Sequence, residues 1–400
     1  MSSFSHKFPN HQYKSTEPKT AQRILIALGA AVVAVAYGMA RFALGLSTPR
    51  ILDDHIATEA QIGYASSLSF ITYVGACFIS SWWLKNQKWK LSILAVLLSA
   101  VVGCLLISIS THAVAFILGV GIAGSAAGFA SGAIAYRLVR ELDPTRESRG
   151  QAIANAGTGI GVAVATLILF SVGSWRVVFI SAAILAVVFC LWFCLHRVGQ
   201  KKNSLGEDSA VEKRGSFVAL LIPAAITILM GAGSSVYWTY GRSLAETQTG
   251  LGETQSLLFW GLIGIAGVGG SFSGDTATRF GTKVSWSICS IVLGISVLLL
   301  PFSTSAVWAC VSGVLFGALY TVLCGLTIEL GRESWPDAVG SATSILFATI
   351  AVGQALGSLI IGFSVASLGL PTLFIAGGVL VVVGAGLVWL KKPTGSGSAR

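Results

Sequence analysis

Charge is scarce in this chain: 10% of its 400 residues are charged against 54% apolar, a balance that excludes a soluble globule and points to a membrane protein. Carboxylates are missing where they would matter most, since no Asp or Glu lies near the middle of an apolar run. Asp53, Asp54, Glu59, Glu246 and Glu253 fall at run ends on one side, Asp275 and Glu329 at run ends on the other. A buried proton relay needs an ionisable group within the membrane, so a coupling proton is left to these peripheral carboxylates or to the substrate itself. Also absent are a nucleotide-binding Walker pattern, His/Glu metal spacing, a nucleophile–base constellation and any Cys-x-x-Cys. ATP-driven pumping, enzyme chemistry and a metal or other cofactor therefore lack support. All seven cysteines (Cys77, Cys104, Cys190, Cys194, Cys289, Cys310 and Cys324) sit in apolar stretches, as packing residues do.

What is present is a series of charge-free stretches. Six have the length of one helix: Ile24–Ala40, Ala60–Leu84, Gly150–Ser174, Val177–Leu195, Gly215–Gly241 and Thr254–Gly274. Three are about twice as long: Leu91–Tyr136, Val284–Ile328 and Ala338–Leu390. About 20 apolar residues cross a bilayer as a helix, so each long run must fold back once. The turns fall at Ser108–Ala113, Pro301–Ala306 and Ser367–Pro371, giving an all-α polytopic protein of twelve transmembrane helices.

Assigning alternate gaps to alternate sides places 22 of the 26 Lys and Arg residues on the side of both termini. Arg41, Arg50, Arg176 and Arg242 are the exceptions. The positive-inside rule then puts both termini in the cytoplasm. The net charge of +10 is spread over short loops, which suits anionic lipid headgroups and not nucleic acid.

A polar stretch divides the spans six from six, and a repeat supports the division. Phe179–Val188 matches Phe374–Val383 at an offset of 195, and Gln61 and Gly75 match Gln255 and Gly269 at 194. Gly150–Ala152 corresponds to Gly340–Ala342 at 190. The expected organisation is a disordered cytoplasmic tail (1–20), a six-helix bundle (21–196), a central cytoplasmic loop (197–215), a second six-helix bundle (216–391) and a disordered tail (392–400).

With this plan the chain resembles the major facilitator superfamily. "GDTATRFGTK" (Gly274–Lys283) is similar to its loop motif G-x-x-x-D-R-x-G-R-K, with Thr278 at the usual Asp position and Asp275 nearby. "ESRGQA" (Glu147–Ala152) and "SWRVVF" (Ser174–Phe179) are similar to widespread family signatures. "YGMARFALGLSTP" (Tyr37–Pro49) and "GQALGSLIIG" (Gly353–Gly362) resemble the bacterial YbfB/YjiJ-like branch. The fourth-helix Arg expected near Ala115 and the Gly-Pro antiporter signature in helix five are both missing, which weakens a proton-antiporter assignment. The resemblance implies two pseudo-symmetric bundles in a bacterial inner membrane, rocking about a central site, as a monomer.

The expected cavity helices carry glycines at four-residue spacing: Gly124/Gly128/Gly132, Gly157/Gly161, Gly270/Gly274, Gly313/Gly317 and Gly353/Gly357. Such spacing stacks small residues on one helix face. By the resemblance, helices five and eight meet between the bundles, so their glycines serve either sliding contact there or tight packing within one bundle. The expected gate is the loop with Gly274, Asp275, Arg279, Gly281 and Lys283, with Asp275 and Arg279 as a charge-pair latch at a helix end.

Arg41 is the sharpest single residue. Lying 17 residues beyond Ile24, it sits ~26 Å along a helix in a core of ~30 Å, hence in the outer part of the first span. It is either a contact for a substrate anion or a side chain that snorkels outward or pairs with Asp53/Asp54. Thr72, Tyr73, Tyr320 and Gln354 are the midplane polar candidates for substrate binding, flanked by Tyr37, Asn155, Tyr237 and Tyr240. A site for small organic solutes mixes aromatic walls with a few polar groups.

The expected function is secondary transport of a small organic solute by rocker-switch alternating access, with a preference for an anionic or zwitterionic substrate. Efflux of amphipathic drugs is the alternative within the class. A transport-dead sensor or a lipid-handling protein is the alternative outside it.

Overall fold

The computed structural model describes residues 19–198, 217–269, 273–336 and 339–391. The expectations for the two tails and the central loop fall mostly outside these residues. The helices follow the charge-free runs. They are α1 (Lys19–Asp53), α2 (Glu59–Lys85), α3 (Trp89–Ile109), α4 (Ala113–Glu141), α5 (Pro144–Val172) and α6 (Trp175–Leu195). A second set follows: α7 (Phe217–Thr249), α8 (Glu253–Gly267), α9 (Thr282–Leu299) and α10 (Ala306–Ser334). The helical stretch Val339–Leu387 is broken at Gly369, with φ 71°, into α11 and α12. Only glycine takes that left-handed φ cheaply, and Pro371 helps prevent one continuous rod. The fold-back expected at Ser367–Pro371 is therefore present, and twelve spans are accounted for among the described residues. Odd spans leave and even spans return to the face that carries Lys19, Lys85 and Leu195. This is the terminal face; the opposite one is the far face.

The repeat has structural causes. Gln61 and Gln255 each reach back from the first turn of their helix, accepting from the amides of Thr58 (2.9 Å) and Gly252 (3.3 Å) respectively. Both satisfy donors that a helix start leaves unpaired. The glycine pairs repeat as well. Gly124, Gly128 and Gly132 of α4 lie against α2, as Gly313 and Gly317 of α10 lie against α8. Gly157 and Gly161 of α5 lie against Ala30 and Ala34 of α1, as Gly353 and Gly357 of α11 lie against Ile228 and Ala232 of α7. Gly157 and Gly161 thus pack inside their own bundle and not across to α8; the register of the helix turns them toward α1. The glycine pairs that meet across the bundles are instead the unflagged Gly159 with Gly264 (α5/α8) and Gly63 with Gly362 (α2/α11), related by the same two-fold. Gly270 lies outside the described residues.

Gly161 offers a direct test of this packing. A β-carbon there would press on the backbone of Ala34, which belongs to another helix and cannot swing aside. Gly161→Val is expected to destabilise the protein by about 1–3 kcal/mol, read as a lower thermal midpoint in detergent. Gly75, around which nothing lies within 4 Å, is the control that tolerates Ala.

Candidate functional site

The site begins with a defect in α1. Its regular turns give way to a π-helical segment at Ala34–Met39. Bonds from the amides of Ala40 to the carbonyl of Val35 (2.8 Å) and of Phe42 to that of Tyr37 (2.9 Å) carry the wide turn onward. Regular helix resumes at Ala43. Such wide turns shift every later side chain around the axis and recur at functional sites. Here the shift aims Arg41, which is only 7% exposed, toward the second bundle.

Arg41 Nη2 donates to Gln354 Oε1 of α11 at 3.5 Å, and Gln354 Nε2 donates to the Tyr320 hydroxyl of α10 at 3.0 Å. The guanidinium carbon lies 4.4 Å from the ring centroid of Phe70 and 4.3 Å from that of Tyr73, both on α2. The Tyr37 hydroxyl bonds that of Tyr73 at 3.1 Å and pairs with Ser131 of α4. Trp238 of α7 stacks on Phe42 with centroids 4.2 Å apart and meets Tyr320 edge-on at 5.3 Å. Five of the nine expected binding residues (Arg41, Tyr37, Tyr73, Tyr320 and Gln354) therefore form one connected cluster contributed by both bundles.

Its depth differs from expectation. Tyr320 is the middle residue of α10 and Tyr73 is one past the middle of α2, so Arg41 lies near the midplane and not in the outer part of its span. The helix starts at Lys19, and counting from Ile24 took no account of a span 35 residues long. Among the described residues neither Asp53 nor Asp54 pairs with it: both lie near Arg50, and Asp54 accepts from Trp175 Nε1 at 2.8 Å. Arg41 Nε is buried with no hydrogen-bond partner among the described residues.

The other four candidates lie elsewhere. Thr72 donates to the Gly121 carbonyl at 2.6 Å, within the α2–α4 contact. Asn155 is exposed and pairs with Gln151. Tyr237 is enclosed in the second bundle, bonded to Ser312 at 2.8 Å and stacked on Phe316. Tyr240 donates to the Glu59 carbonyl, 2.5 Å away, at the far face. Phe70, Ser131 and Trp238 were not flagged; Phe70 stands three residues before Tyr73, the spacing of one helix face.

Hydrogen bonds that join the bundles gather on the far side of Arg41. Thr48 donates to the Thr239 carbonyl (3.0 Å), and the Ser66 hydroxyl meets those of Thr239 (3.0 Å) and Ser358 (3.1 Å). Ser67 donates to the Ala355 carbonyl at 2.9 Å. Arg242, 1% exposed, donates to the Leu46 carbonyl at 2.5 Å, and Arg50 pairs with Glu253. The far half of α1, Ala43–Asp53, packs on α7 and supplies three of these contacts. The two bundles are thus latched at the far face.

The expected gate on the terminal face is less defined. Gly274 lies in a short helix, Ser273–Phe280, and the Asp275 side chain is outside the described residues. Arg279 is exposed, with its guanidinium 5.2 Å from the Phe280 ring. Gly281 takes φ 80° to start α9, and Lys283 donates to the Lys391 carbonyl at 2.6 Å, a contact within the second bundle.

A family model described as "Uncharacterised MFS-type transporter YbfB" matches residues 33–388. The purine ribonucleoside efflux pump NepI of Shigella dysenteriae serotype 1 is 24% identical over 365 residues, covering 87% of this chain and 89% of that protein. NepI of Escherichia coli (strain K12) is 23% identical over the same length and coverage. Among solved structures, the nucleoside transporter NupG matches with a TM-score of 0.74 at 14% identity, covering 92% of this chain and 99% of that one. The inward-open xylose transporter XylE from E. coli matches with a TM-score of 0.75 at 12% identity, covering 94% and 98%. At these identities the solved structures establish the fold.

Proposed function

The chain belongs to the family of MFS-type transporters represented by YbfB, and we propose that it moves a small organic solute held between its two bundles at Arg41, Tyr37, Tyr73, Tyr320 and Gln354. One observation carries the reading: a guanidinium buried near the midplane of one bundle, met by an amide of the other. Charge at that depth is costly and marks substrate pathways. The closure at the far face supplies one end state of alternating access. Gly159 with Gly264 and Gly63 with Gly362 support the rocking, because at these two points the bundles meet through backbone with no side chain interlocked between the paired glycines.

A purine ribonucleoside is a second reading. It is favoured by the rings of Phe70, Tyr73 and Trp238 around the site and by Gln354, whose amide matches a purine edge in donor and acceptor. Lipid handling is less well supported. The apolar crevice between α2 and α11, lined by Ile71, Val74, Val352 and Leu356 among others, shares no lining residue with the Arg41 cluster. For a coupling proton, Glu246 and Glu253 are the carboxylates paired with the far-face arginines Arg242 and Arg50.

The test is uptake and counterflow of a metabolite panel, purine ribonucleosides included, in proteoliposomes with and without a pH gradient. Saturable movement that Gln354→Ala and Tyr320→Phe both slow supports the site. Movement indifferent to both variants, or none beyond protein-free vesicles, sinks it. Cytoplasmic termini, proposed from the charge bias, predict that a reporter active only in the cytoplasm works when fused at either end.

A further inference from the structure

We infer that the transported solute is an organic carboxylate on a planar body, its carboxylate taken by Arg41; this rests on the cluster being the solute site. The argument is a mismatch between donors and acceptors. A guanidinium has five N–H donors. Among the described residues the acceptor offered to Arg41 is Gln354 Oε1 at 3.5 Å, the outer limit of a hydrogen bond, and Nε has none. From the opposite bundle, the Trp238 indole N–H is also buried with no partner among the described residues, Trp238 being only 6% exposed. Phe42 lies between the two, stacked on Trp238 at 4.2 Å and 5.5 Å from the Arg41 guanidinium. Both bundles therefore present a donor left unspent.

Charge points the same way. Among the described residues Arg41 has no ion pair, and its charge is offset there by the faces of Phe70 and Tyr73. Ring faces compensate a buried cation only partly, and the apolar runs hold no Asp or Glu to supply the rest. A carboxylate matches the guanidinium fork with two parallel bonds. The rings of Tyr37, Phe42, Phe70 and Tyr73 lie around the guanidinium and Trp238 stacks on Phe42, so a planar body attached to that carboxylate meets aromatic neighbours. A neutral nucleoside would meet the hydrogen-bond demand in part and leave the charge unanswered.

The experiment compares isosteric probes on the purified full-length protein: benzoate against benzamide, indole-3-carboxylate against indole-3-carboxamide, and adenosine as a neutral nucleoside. Binding is read by tryptophan fluorescence and thermal shift, and transport by counterflow. Each carboxylate is expected to bind about tenfold or more tightly than its amide. In Arg41→Gln that ratio falls to about one, and Arg41→Lys restores part of it. Arg41→Met, which removes an uncompensated buried charge, is expected to raise the thermal midpoint of the empty protein by about 2 °C or more. Absence of carboxylate binding, equal binding of amides, a ratio untouched in Arg41→Gln, or a lower midpoint in Arg41→Met each overturns the inference. Saturable adenosine transport without a carboxylate preference overturns it too, while leaving the transport reading intact. That broader reading falls on the Gln354→Ala and Tyr320→Phe results instead.

Discussion

In Arg41→Ala, transport is expected to fall by about a hundredfold or more while the protein still folds and elutes as one species. Each hydrogen bond to a charged group contributes ~1.5–3 kcal/mol, and two lost from a bidentate contact exceed the ~2.7 kcal/mol that a hundredfold requires. Folding should survive because the folded chain invests little in this side chain. Among the described residues its polar contact is one long bond to Gln354, and its Nε has no partner. A structural arginine behaves otherwise. Arg137, 2% exposed, pairs with Glu141 and donates to the carbonyls of Phe193 and His196, closing the end of α6. Arg137→Ala should therefore lower the amount of folded protein before transport is measured at all. Initial rates per folded transporter, for both variants side by side, check the contrast. Equal transport in wild type and Arg41→Ala would return Arg41 to a packing role.

That contrast shows what a sequence reveals about such a site. Arg41 was legible because a charge inside an apolar run is costly wherever it ends up, and so were Tyr73, Tyr320 and Gln354 as polar groups at mid-helix and Tyr37 as a polar group flanking them. Depth along a helix does not give direction around it. Thr72 is next to Tyr73, yet one residue turns a side chain by about 100°, and Thr72 bonds Gly121 instead. By the same rotation the aromatic residue of α7 that meets Tyr320 is Trp238 and not its neighbour Tyr237. Apolar wall residues such as Phe70 are silent in a chain where apolar residues are the background. The twelve spans were legible for the opposite reason, because the membrane imposes a length and charges cannot hide in it. The π segment in α1 has no comparable signature. Its surroundings are tertiary: at Gly38 a β-carbon would meet the backbone of Gly161.

The far-face latch supports the second large effect: Arg242→Ala is expected to shift the closed-to-open ratio of that face by about 10- to 150-fold toward open. Arg242 makes three kinds of contact, and only one distinguishes the two states. Its ion pair with Glu246 (3.0 Å) and its bond to Ser256 (3.1 Å) stay within the second bundle and persist when the bundles part. The bond to the Leu46 carbonyl joins the bundles and is lost on opening. A buried bond from a charged donor contributes ~1.5–3 kcal/mol, which sets the range through the usual factor of ten per ~1.4 kcal/mol. The Arg50–Glu253 pair also crosses between bundles, but its side chains are 35% and 44% exposed. An exposed pair contributes ~0–1 kcal/mol, so Arg50→Ala should move the ratio by no more than about fivefold. Spin labels at Asp53→Cys and Gln248→Cys, both exposed on the far face, report the separation. Arg242→Ala should add a longer-distance population that Arg50→Ala barely populates. If the two variants shift the distances equally, burial is not what holds this face shut. If neither does, the latch lies in the Ser66–Thr239–Ser358 hydroxyl cluster, and Ser66→Ala becomes the variant that opens it.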